Sequence, residues 1–327
     1  MILQYVKYIM SFPFVDIDIQ FAYSHSTKKL HIQHFGAFIV LHSYKKISFQ
    51  GAHGAYSDMS CRKVFPNLET VPCETFDDAF RAVVEGRSDL AMIPVDNTIA
   101  GRVADVHHLM PERDLFIIGE HFQPINHMLL GLPGAKLEGV KHVHSHVHAL
   151  PQCRDFLGSL NVERHVHTDT AGAARKVGLD GDPEHAAIAS ELAAEIYNLE
   201  ILKRDIEDRS HNVTRFLILS PEPDFPDEDE DDVMTSLLFE IRNIPASLYK
   251  ALGGFATNGL SFTKLESYID ENFQAARFYC DVEGHAESPA LGRALEELGF
   301  FAKDVKLLGT YKAHPFRKKY MAQNIEL

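Results

Sequence analysis

The sequence has few cysteines and no long apolar segment. Its four cysteines lie far apart and show no CxxC spacing, which argues against a disulfide framework and against a zinc knuckle. No segment approaches the roughly 20 consecutive apolar residues of a transmembrane helix. The opening residues, MILQYVKYIMSFPFV, have neither a basic start nor a small-residue cleavage site, so a signal peptide is not predicted. These features favour a protein of the reducing cytoplasm.

Basic residues are outnumbered by acidic ones. The 327-residue chain has 32 Lys and Arg against 46 Asp and Glu, which gives a formal net charge of -14. Nucleic acid and anionic membranes repel such a protein unless a local basic patch attracts them. No run of Lys and Arg is long enough to form one. We therefore expect neither nucleic acid nor a membrane as a partner.

The motifs of several large enzyme classes are also missing. The chain has no phosphate loop, no G-x-G-x-x-G, no G-x-S-x-G and no H-E-x-x-H. No obvious motif places a pair of carboxylates for acid and base catalysis. Amide and hydroxyl groups remain for binding, so the expected ligand is an anion or dianion held by them, and no cofactor is expected.

From Lys45 onwards the chain alternates regularly between strand-like and helix-like segments. KISFQ predicts a strand and AYSDMSCRKVF a helix. A second helix is predicted in ETFDDAFRAVVEG, with Thr75 as N-cap, Asp78 at the capping-box position and Gly86 as terminator. The alternation continues to TRFLILS and predicts an α/β fold whose parallel sheet is covered by helices on both faces.

An acidic, proline-rich segment, PEPDFPDEDEDDV, interrupts this alternation and predicts a solvated linker. The segments after it follow the order βαββαβ, which is typical of a ferredoxin-like sandwich. The predicted units are an N-terminal extension without an assigned role (1–45), an α/β domain (46–221), a linker (222–233), a ferredoxin-like domain (234–316) and a tail (317–327).

Polar residues follow several of the predicted strands. They occur in FQGAHGAYS, PVDNTIAG, HSHVHALPQC and HTDTAGAA. In HNVTRFLILS, Asn212, Thr214 and Arg215 lie at the mouth of an otherwise apolar strand. Because open α/β sheets bind ligands beyond the carboxyl ends of their strands, these segments are expected to form the ligand site.

Histidines recur at alternate positions between His142 and His148, with His165 and His167 further along. Alternate residues of a strand share one face, so a metal site is one interpretation. The other is a sheet edge that tolerates histidine. Since no acidic or thiolate cluster accompanies these residues in the sequence, no metal site is expected.

The motifs ISFQGAHGAYS, PVDNTIAG, HSHVHALPQC, DTAGAA and NVTRF, followed by YKALGGFATNGLSFTKLES and DVEGH, closely resemble prephenate dehydratase with a C-terminal ACT regulatory domain. The resemblance covers roughly residues 45–316. It implies cofactor-free conversion of prephenate to phenylpyruvate, water and carbon dioxide in phenylalanine biosynthesis. It also implies a two-lobed catalytic domain like type II periplasmic binding proteins, inhibition by L-phenylalanine, and a homo-oligomer, either a dimer or a tetramer.

The resemblance assigns roles to individual residues. The catalytic group, in which Thr214 would donate a hydrogen bond to the leaving hydroxyl, is Thr214, Asn97, Ser145 and Gln152. The substrate-binding group is Arg215, Thr170, Gly54, Ala55 and Phe216. The allosteric group is Ala246, Ser247, Leu248, Glu266 and Ser267.

Some alternatives stay open at this stage. Thr214 is also a candidate for an ordinary turn or capping hydroxyl, and Arg215 either grips a substrate carboxylate or braces its loop. The family's SHPQ, PGAL and ESRP motifs are SHVH, PASL and ESYI here, which makes regulation a weaker expectation than catalysis. The alternatives to prephenate dehydratase are an arogenate dehydratase and a noncatalytic protein that binds an amino acid or small acid.

Overall fold

The computed structural model describes residues 44–269 and 275–318, so nearly all of the predicted N-terminal extension lies outside the described residues. The strands are β1 (Lys46–Gln50), β2 (Glu69–Cys73), β3 (Leu90–Asn97), β4 (Gly101–Arg102), β5 (Phe116–Pro124), β6 (Met128–Gly131), β7 (His142–His146), β8 (Glu163–His167), β9 (His185–Ala189), β10 (Glu200–Lys203), β11 (Val213–Ser220), β12 (Val233–Ile241), β13 (Phe262–Ile269), β14 (Ala275–Glu283) and β15 (Ala302–Lys312). The α-helices are α1 (Tyr56–Val64), α2 (Phe76–Val84), α3 (Ala104–Leu109), α4 (Arg154–Gly158), α5 (Thr170–Asp180), α6 (Glu191–Ile196), α7 (Ser247–Thr257) and α8 (Pro289–Phe301). Among the described helices, none is long and apolar enough to cross a membrane.

The α/β domain consists of two lobes, each built on its own sheet. Lobe 1 (44–124 and 213–220) has the strand order β2-β1-β3-β11-β5, with β4 paired to β3. Lobe 2 (128–206) has the order β10-β6-β9-β7-β8. The chain passes from lobe 1 to lobe 2 after β5 and returns before β11, so two connections join the lobes.

The prediction of parallel sheets is wrong, because both sheets are mixed. In lobe 1, β1 pairs in parallel with β2 and β3, but β11 runs antiparallel to β3 and β5. In lobe 2, β7 is parallel to β8 and β9, whereas β6 is antiparallel to β9 and β10. The physical reason in lobe 1 is that β11 enters from lobe 2, against the direction in which β3 and β5 run.

The local prediction for α2 is confirmed. The Thr75 side chain accepts a hydrogen bond from the backbone N–H of Asp78, as an N-cap does. Gly86, two residues after the helix ends, has a φ of 70°, which glycine adopts without steric cost. Phe80 and Val83 on its apolar face are buried in the core of lobe 1.

The C-terminal domain (233–312) has the predicted element order βαββαβ. Its four strands form an antiparallel sheet in the order β13-β14-β12-β15. One face packs against α7 and α8, in a core that contains Phe239 and Phe278. The other face shares a core with lobe 1, which joins Leu238 and Tyr279 to Leu217. Both faces of the sheet are therefore covered.

The C-terminal domain lies very close to lobe 1. A Cβ atom added at Gly309 on β15 would overlap the carbonyl group of Ile117 on β5, so only glycine allows this approach. Residues 222–232 of the predicted linker (222–233) contain no helix or strand, and Val233 already begins β12. The linker thus connects two domains that are packed together rather than separated. All four cysteines are buried free thiols.

Candidate active site

A cleft lies between the two lobes, at the ends of their strands. Its first cavity, of about 540 Å³, is lined from lobe 1 by the loops after β1 and β3 and by the start of α1. Lobe 2 contributes the end of β7 and the start of α5. A second cavity, of about 470 Å³, adjoins the first, since Ala100 and His148 line both. This is the position at which open α/β sheets bind small ligands.

Two helices begin at the first cavity, one from each lobe. Tyr56 and Ser57 of α1 line it, as does Thr170 of α5. The N-cap of α1, Ala55, gives no side-chain hydrogen bond, so the first-turn N–H groups of this helix are left for a ligand. Unpaired N–H groups and the helix dipole together favour anions at helix N-termini. The α5 end is different, because its N-cap Asp169 also lines the cavity and its carboxylate accepts from Gly172 N–H. Only the α1 end therefore offers uncapped N–H groups to an anion.

A chain of polar side chains, here called the Thr214 network, crosses the mouth of β11. Asn97 Nδ2 donates to Thr214 Oγ1 at 2.9 Å and to Asn212 Oδ1 at 2.8 Å. Asn212 Nδ2 in turn donates to Gln152 Oε1 at 2.7 Å. Three of the four predicted catalytic residues, Thr214, Asn97 and Gln152, are therefore brought together, with Asn212 as the connection between the lobes.

The network continues to a buried histidine. His127 Nε2 lies 3.0 Å from Gln152 Oε1, and its Nδ1 lies 2.9 Å from the hydroxyl of Tyr56. Because the amide oxygen of Gln152 only accepts, Nε2 carries the proton in this arrangement. Burial lowers the pKa of His127 below its ordinary value, so the ring is neutral near pH 7. The network consists of neutral donors and acceptors.

The Thr214 hydroxyl is held in a defined orientation. Its oxygen accepts from Asn97, and within the described part of the chain no group accepts its proton. Asn97 lines the first cavity and Gln152 the second, whereas neither wall includes Thr214. Thr214 pairs with Asn97 across β11 and β3, so it lies beside Asn97 and off both cavity walls, half-buried, with a hydroxyl proton that remains available.

The other residues expected at the substrate take different places. Ala55 and Thr170 line the first cavity. Gly54 lies where the lobes touch, since a Cβ atom there would come within 2.8 Å of Ala193 Cα, and its φ is 90°. Ser145 is fully buried and donates to the carbonyl of Ile188 at 2.7 Å. These contacts do not support the catalytic role predicted for Ser145, because its proton is already used within the sheet of lobe 2.

Phe216 and Arg215 do not face the cleft either. Phe216 is buried in the core of lobe 1, so it positions β11 by packing. Arg215 donates to Glu120 at 2.8 Å, to Asp281 at 2.5 Å and to the Tyr311 hydroxyl at 3.0 Å. All three guanidinium nitrogens thus bind protein groups at the boundary with the C-terminal domain. The contacts correspond to bracing, and they do not support the predicted grip on a substrate carboxylate.

Further ion pairs cross the same boundary. Lys264 on β13 donates to Asp96 on β3. Arg317, in the predicted C-terminal tail, donates to Glu120 at 2.6 Å. Asp96 belongs to the PVDN segment that also supplies Asn97, so the C-terminal domain contacts a strand end at the cleft.

The predicted allosteric residues form two separate groups. Ala246, Ser247 and Leu248 begin α7, whereas Glu266 and Ser267 lie on β13. In the described ranges no hydrogen bond joins one group to the other. Glu266 accepts from Arg102 at 2.7 Å, and Arg102 lines the first cavity. A residue predicted for regulation therefore contacts the wall of the cleft directly.

Sequence reasoning missed several residues of this site. Tyr56, His127 and Arg102 were not predicted, and His146 and His148 were considered only as possible metal ligands. Burial and the neighbouring His148 lower the pKa of His146, so this cavity-lining ring is neutral. Signals existed for Tyr56, which belongs to GAHGAYS, and for Arg102, which follows PVDNTIAG by one residue. His127 lies in no motif, and only the fold brings it to Gln152.

Comparisons with known proteins identify the family of this chain. The family model for prephenate dehydratase matches residues 47–224. A bifunctional N-acyl-homoserine lactone acylase/prephenate dehydratase of Komagataeibacter europaeus is 50% identical over 274 residues, covering 84% of this chain and 98% of that protein. Arogenate dehydratase/prephenate dehydratase 1 of Arabidopsis thaliana, a chloroplastic protein, is 41% identical over 281 residues, covering 81% and 71% respectively.

A solved structure gives the same result. Prephenate dehydratase from Arthrobacter aurescens, in complex with L-Phe, matches with a TM-score of 0.75 at 26% identity, covering 86% of this chain and 98% of that one. The family model spans more than half of the chain, and the sequence relatives exceed 40% identity over four fifths of it. The chain therefore belongs to the prephenate dehydratase family.

Proposed function

We propose that this protein is a prephenate dehydratase, which forms phenylpyruvate, water and carbon dioxide from prephenate without a cofactor. The observation that carries the proposal is the hydrogen bond from Asn97 to Thr214 at the wall of a cleft that also receives the uncapped N-terminus of α1. Family membership supports the same reaction.

The reaction needs little from the protein, because the product gains an aromatic ring. The bond to the ring carboxylate breaks and releases carbon dioxide, its electron pair enters the ring, and the bond to the ring hydroxyl breaks as hydroxide departs and takes a proton from solvent to become water. A neutral donor that hydrogen-bonds the departing oxygen stabilises the charge that develops on it. Thr214 is our candidate for this donor, because Asn97 already occupies its oxygen and leaves its proton free.

The place of Thr214 off both cavity walls adds a requirement. For Thr214 to reach the leaving oxygen, the side chains around it, Asn97 among them, have to rearrange when substrate binds. If Asn97 instead stays in place, its amide is the donor and Thr214 only orients it. The two roles are distinguished by variants at each position.

The cleft offers prephenate one uncapped helix N-terminus, that of α1 in lobe 1, which attracts an anionic group. Arg102 lies on the same cavity wall and is a cation with which a second carboxylate can pair. The N-terminus of α5 is already capped by Asp169. The neutral imidazole of His146 and the Thr214 network supply hydrogen bonds without adding charge.

In the test, the purified protein is incubated with prephenate and the appearance of phenylpyruvate is measured. We expect turnover with no added metal or cofactor. Tight binding of prephenate without product would contradict the enzyme and favour the noncatalytic binding protein. The same sample offered prephenate and arogenate in competition distinguishes the two dehydratases, since the plant relative is named for both activities.

We also infer that the C-terminal domain is an ACT domain through which L-phenylalanine inhibits the enzyme. The βαββαβ order, the L-Phe complex of the Arthrobacter aurescens relative and the contact from Glu266 to Arg102 support this. The domain also carries exposed apolar side chains, among them Tyr249, Ile269 and Phe300. Exposed apolar side chains that are scattered singly are ordinary at a protein surface, so the proposed homo-oligomer rests on the family resemblance.

A second candidate activity follows from the relative at 50% identity, whose name includes N-acyl-homoserine lactone acylase. Hydrolysis of an N-acyl-homoserine lactone to the free lactone and a fatty acid would establish it for this chain. The assay is run beside the prephenate assay on wild-type protein and on Thr214→Ala. An acylase that uses a different set of residues would keep its rate in this variant.

A further inference from the structure

Lobe 2 gathers imidazoles on one face of its sheet. Two come from β7 and two from β8, with a further one from β9 and a glutamate at the start of β8: His142, His144, His165, His167, His185 and Glu163. Alternate residues of a strand share a face, and the register sets His142 opposite Glu163 and His144 opposite His165. The carboxylate that the sequence pattern did not reveal is therefore beside the histidines.

Three of these side chains converge on one point. His142 Nδ1 lies 3.1 Å from His165 Nε2 and 3.3 Å from Glu163 Oε2. His165 Nε2 lies 3.8 Å from the same carboxylate oxygen. Zn²⁺ binds imidazole nitrogen and carboxylate oxygen at about 2.0–2.2 Å, so neighbouring ligands of a tetrahedral ion are about 3.4 Å apart. The three atoms thus have the spacing of one face of a tetrahedral zinc site.

We propose that His142, Glu163 and His165 bind a Zn²⁺ ion, with solvent as the fourth ligand. Two imidazoles and one carboxylate form a ligand set that Zn²⁺ accepts. The relative exposures of the three side chains, 29%, 67% and 34%, leave a path for the ion and room for water. The charge of the ligands also suits a divalent cation, because the Glu163 carboxylate supplies one negative charge beside the two imidazole nitrogen ligands.

The site is separate from the proposed active site. His142 begins β7, whereas His146 at the other end of the strand lines the cleft. Four residues of strand separate them by roughly 13 Å. Of the described strands in this sheet, β8 is at the edge and pairs with β7 alone. An ion bound across β7 and β8 would fasten this edge strand, so the inference does not depend on the dehydratase activity.

The test uses the full chain, purified without a polyhistidine tag and freed of metal with a chelator. Zn²⁺ is titrated by calorimetry, and Co²⁺ replaces it to report tetrahedral geometry through its visible absorption. The variants are His165→Ala and Glu163→Gln. The matched control is His167→Ala, which removes an imidazole from the same strand and face but none of the three proposed ligands.

We expect the wild-type chain to bind one Zn²⁺ ion, and we expect the temperature of its thermal unfolding to rise when the ion binds. His165→Ala loses a direct ligand, so its Zn²⁺ affinity should fall by at least the roughly 10- to 100-fold that follows the loss of a group bonded only to a ligand. The Zn²⁺ affinity of Glu163→Gln should fall at least about tenfold, and that of His167→Ala should match the wild type. Mg²⁺, which prefers oxygen ligands, should not bind there.

Three results would overturn the site. They are the absence of stoichiometric Zn²⁺ binding by the wild type, an unchanged affinity in His165→Ala or Glu163→Gln, and an equal loss in His167→Ala. Glu163 is exposed, so Glu163→Gln keeps the test decisive if removal of an imidazole disturbs the fold.

Discussion

Arg215 of lobe 1 donates a hydrogen bond from Nη1 to Oδ2 of Asp281 in the C-terminal domain, at 2.5 Å. Both side chains are buried. Arg215 follows Thr214 in β11, and successive side chains of a strand point to opposite faces. One face of β11 therefore carries the proposed donor toward Asn97, and the other face is held by the second domain. Any change in how the domains pack acts on the residue next to Thr214.

The first prediction concerns the stability of this contact. Replacing Asp281 with Asn removes one charge of a buried pair and leaves Arg215 without a full partner. Breaking a buried ion pair in this way typically costs about 3–5 kcal/mol. We expect the free energy of unfolding, measured by denaturant titration, to fall by about 3 kcal/mol. Asp304→Asn, an exposed change in the same sheet, should shift it by no more than about 0.5 kcal/mol, and equal losses would contradict the assignment.

The same carboxyl predicts sensitivity to acid. Burial alone would raise the pKa of Asp281, but the charge of Arg215 and the hydrogen bonds from Ser236 and Tyr279 hold it below the ordinary value of 3.8. A carboxyl with a lowered pKa in the folded state stabilises the fold above its ordinary pKa and loses this contribution as pH falls below it. The free energy of unfolding of the wild type should therefore decline below about pH 4. Asp281→Asn should decline less, because the titrating group is gone.

The second prediction tests the donor. Thr214→Ala should lower kcat by about 10²- to 10³-fold, the usual effect of removing one preorganised donor. Thr214→Ser keeps a hydroxyl and should recover most of the rate. Circular dichroism should show the same fold in both variants, since Thr214 is only half-buried.

Asn97 provides the contrast. If Thr214 is the donor, Asn97→Ala lowers kcat through loss of orientation, and by less than Thr214→Ala does. A larger loss in Asn97→Ala would transfer the role of donor to the Asn97 amide. Near-normal turnover in Thr214→Ala would remove Thr214 from the mechanism altogether.

The third prediction concerns regulation. The side chains of Arg102 and Glu266 are 48% and 26% exposed, so their pair is worth less than about 1 kcal/mol. Glu266→Gln should raise the L-phenylalanine concentration for half-inhibition by about 2- to 5-fold, which corresponds to that energy. Glu283→Gln, at the end of the neighbouring strand β14, is the matched control. An unchanged L-phenylalanine concentration for half-inhibition in Glu266→Gln would show that the contact between Arg102 and Glu266 plays no part in inhibition.

The sequence predicted the residues of the cleft better than those of the domain boundary. Thr214, Asn97 and Gln152 lie in separate segments, at the start of β11, at the end of β3 and after β7. The general position of ligand sites in α/β sheets predicted these segments, and the resemblance to prephenate dehydratase selected the three residues within them. Ser145 lies in such a motif too. Its hydroxyl nevertheless bonds within the sheet, because alternation along β7 turns it toward the buried side.

The boundary could not be predicted from local pattern. In ARFYCDVEG the residues alternate, with Phe278 and Cys280 on one side and Tyr279 and Asp281 on the other. Such a strand normally exposes its polar side to water. Here that side is buried against lobe 1, and Asp281 finds its partner 66 residues away in the chain. Glu163 is a similar case, because only the register of β8 against β7 shows that it faces His142.

The last prediction concerns Ala246, which stands where the resembling family motif has glycine. Ala246 is the N-cap of α7 and has a φ of 61° and a ψ of 21°, the left-handed conformation. The left-handed conformation costs an L-residue with a Cβ atom about 1–2 kcal/mol, and it costs glycine little. Glycine has more conformational freedom in the unfolded chain, and this offsets part of the gain in stability. Ala246→Gly should therefore raise the free energy of unfolding by about 0.5–1 kcal/mol.

The control for Ala246→Gly lies in the same helix. Ala256 is exposed within α7, where a change to glycine lowers helix stability by up to about 1 kcal/mol. The two substitutions are chemically identical, yet they should shift the denaturation midpoint in opposite directions, because only Ala246 has a positive φ. A loss of stability in both would show that the backbone at Ala246 is not strained, and that the departure from the family glycine carries no cost for the fold.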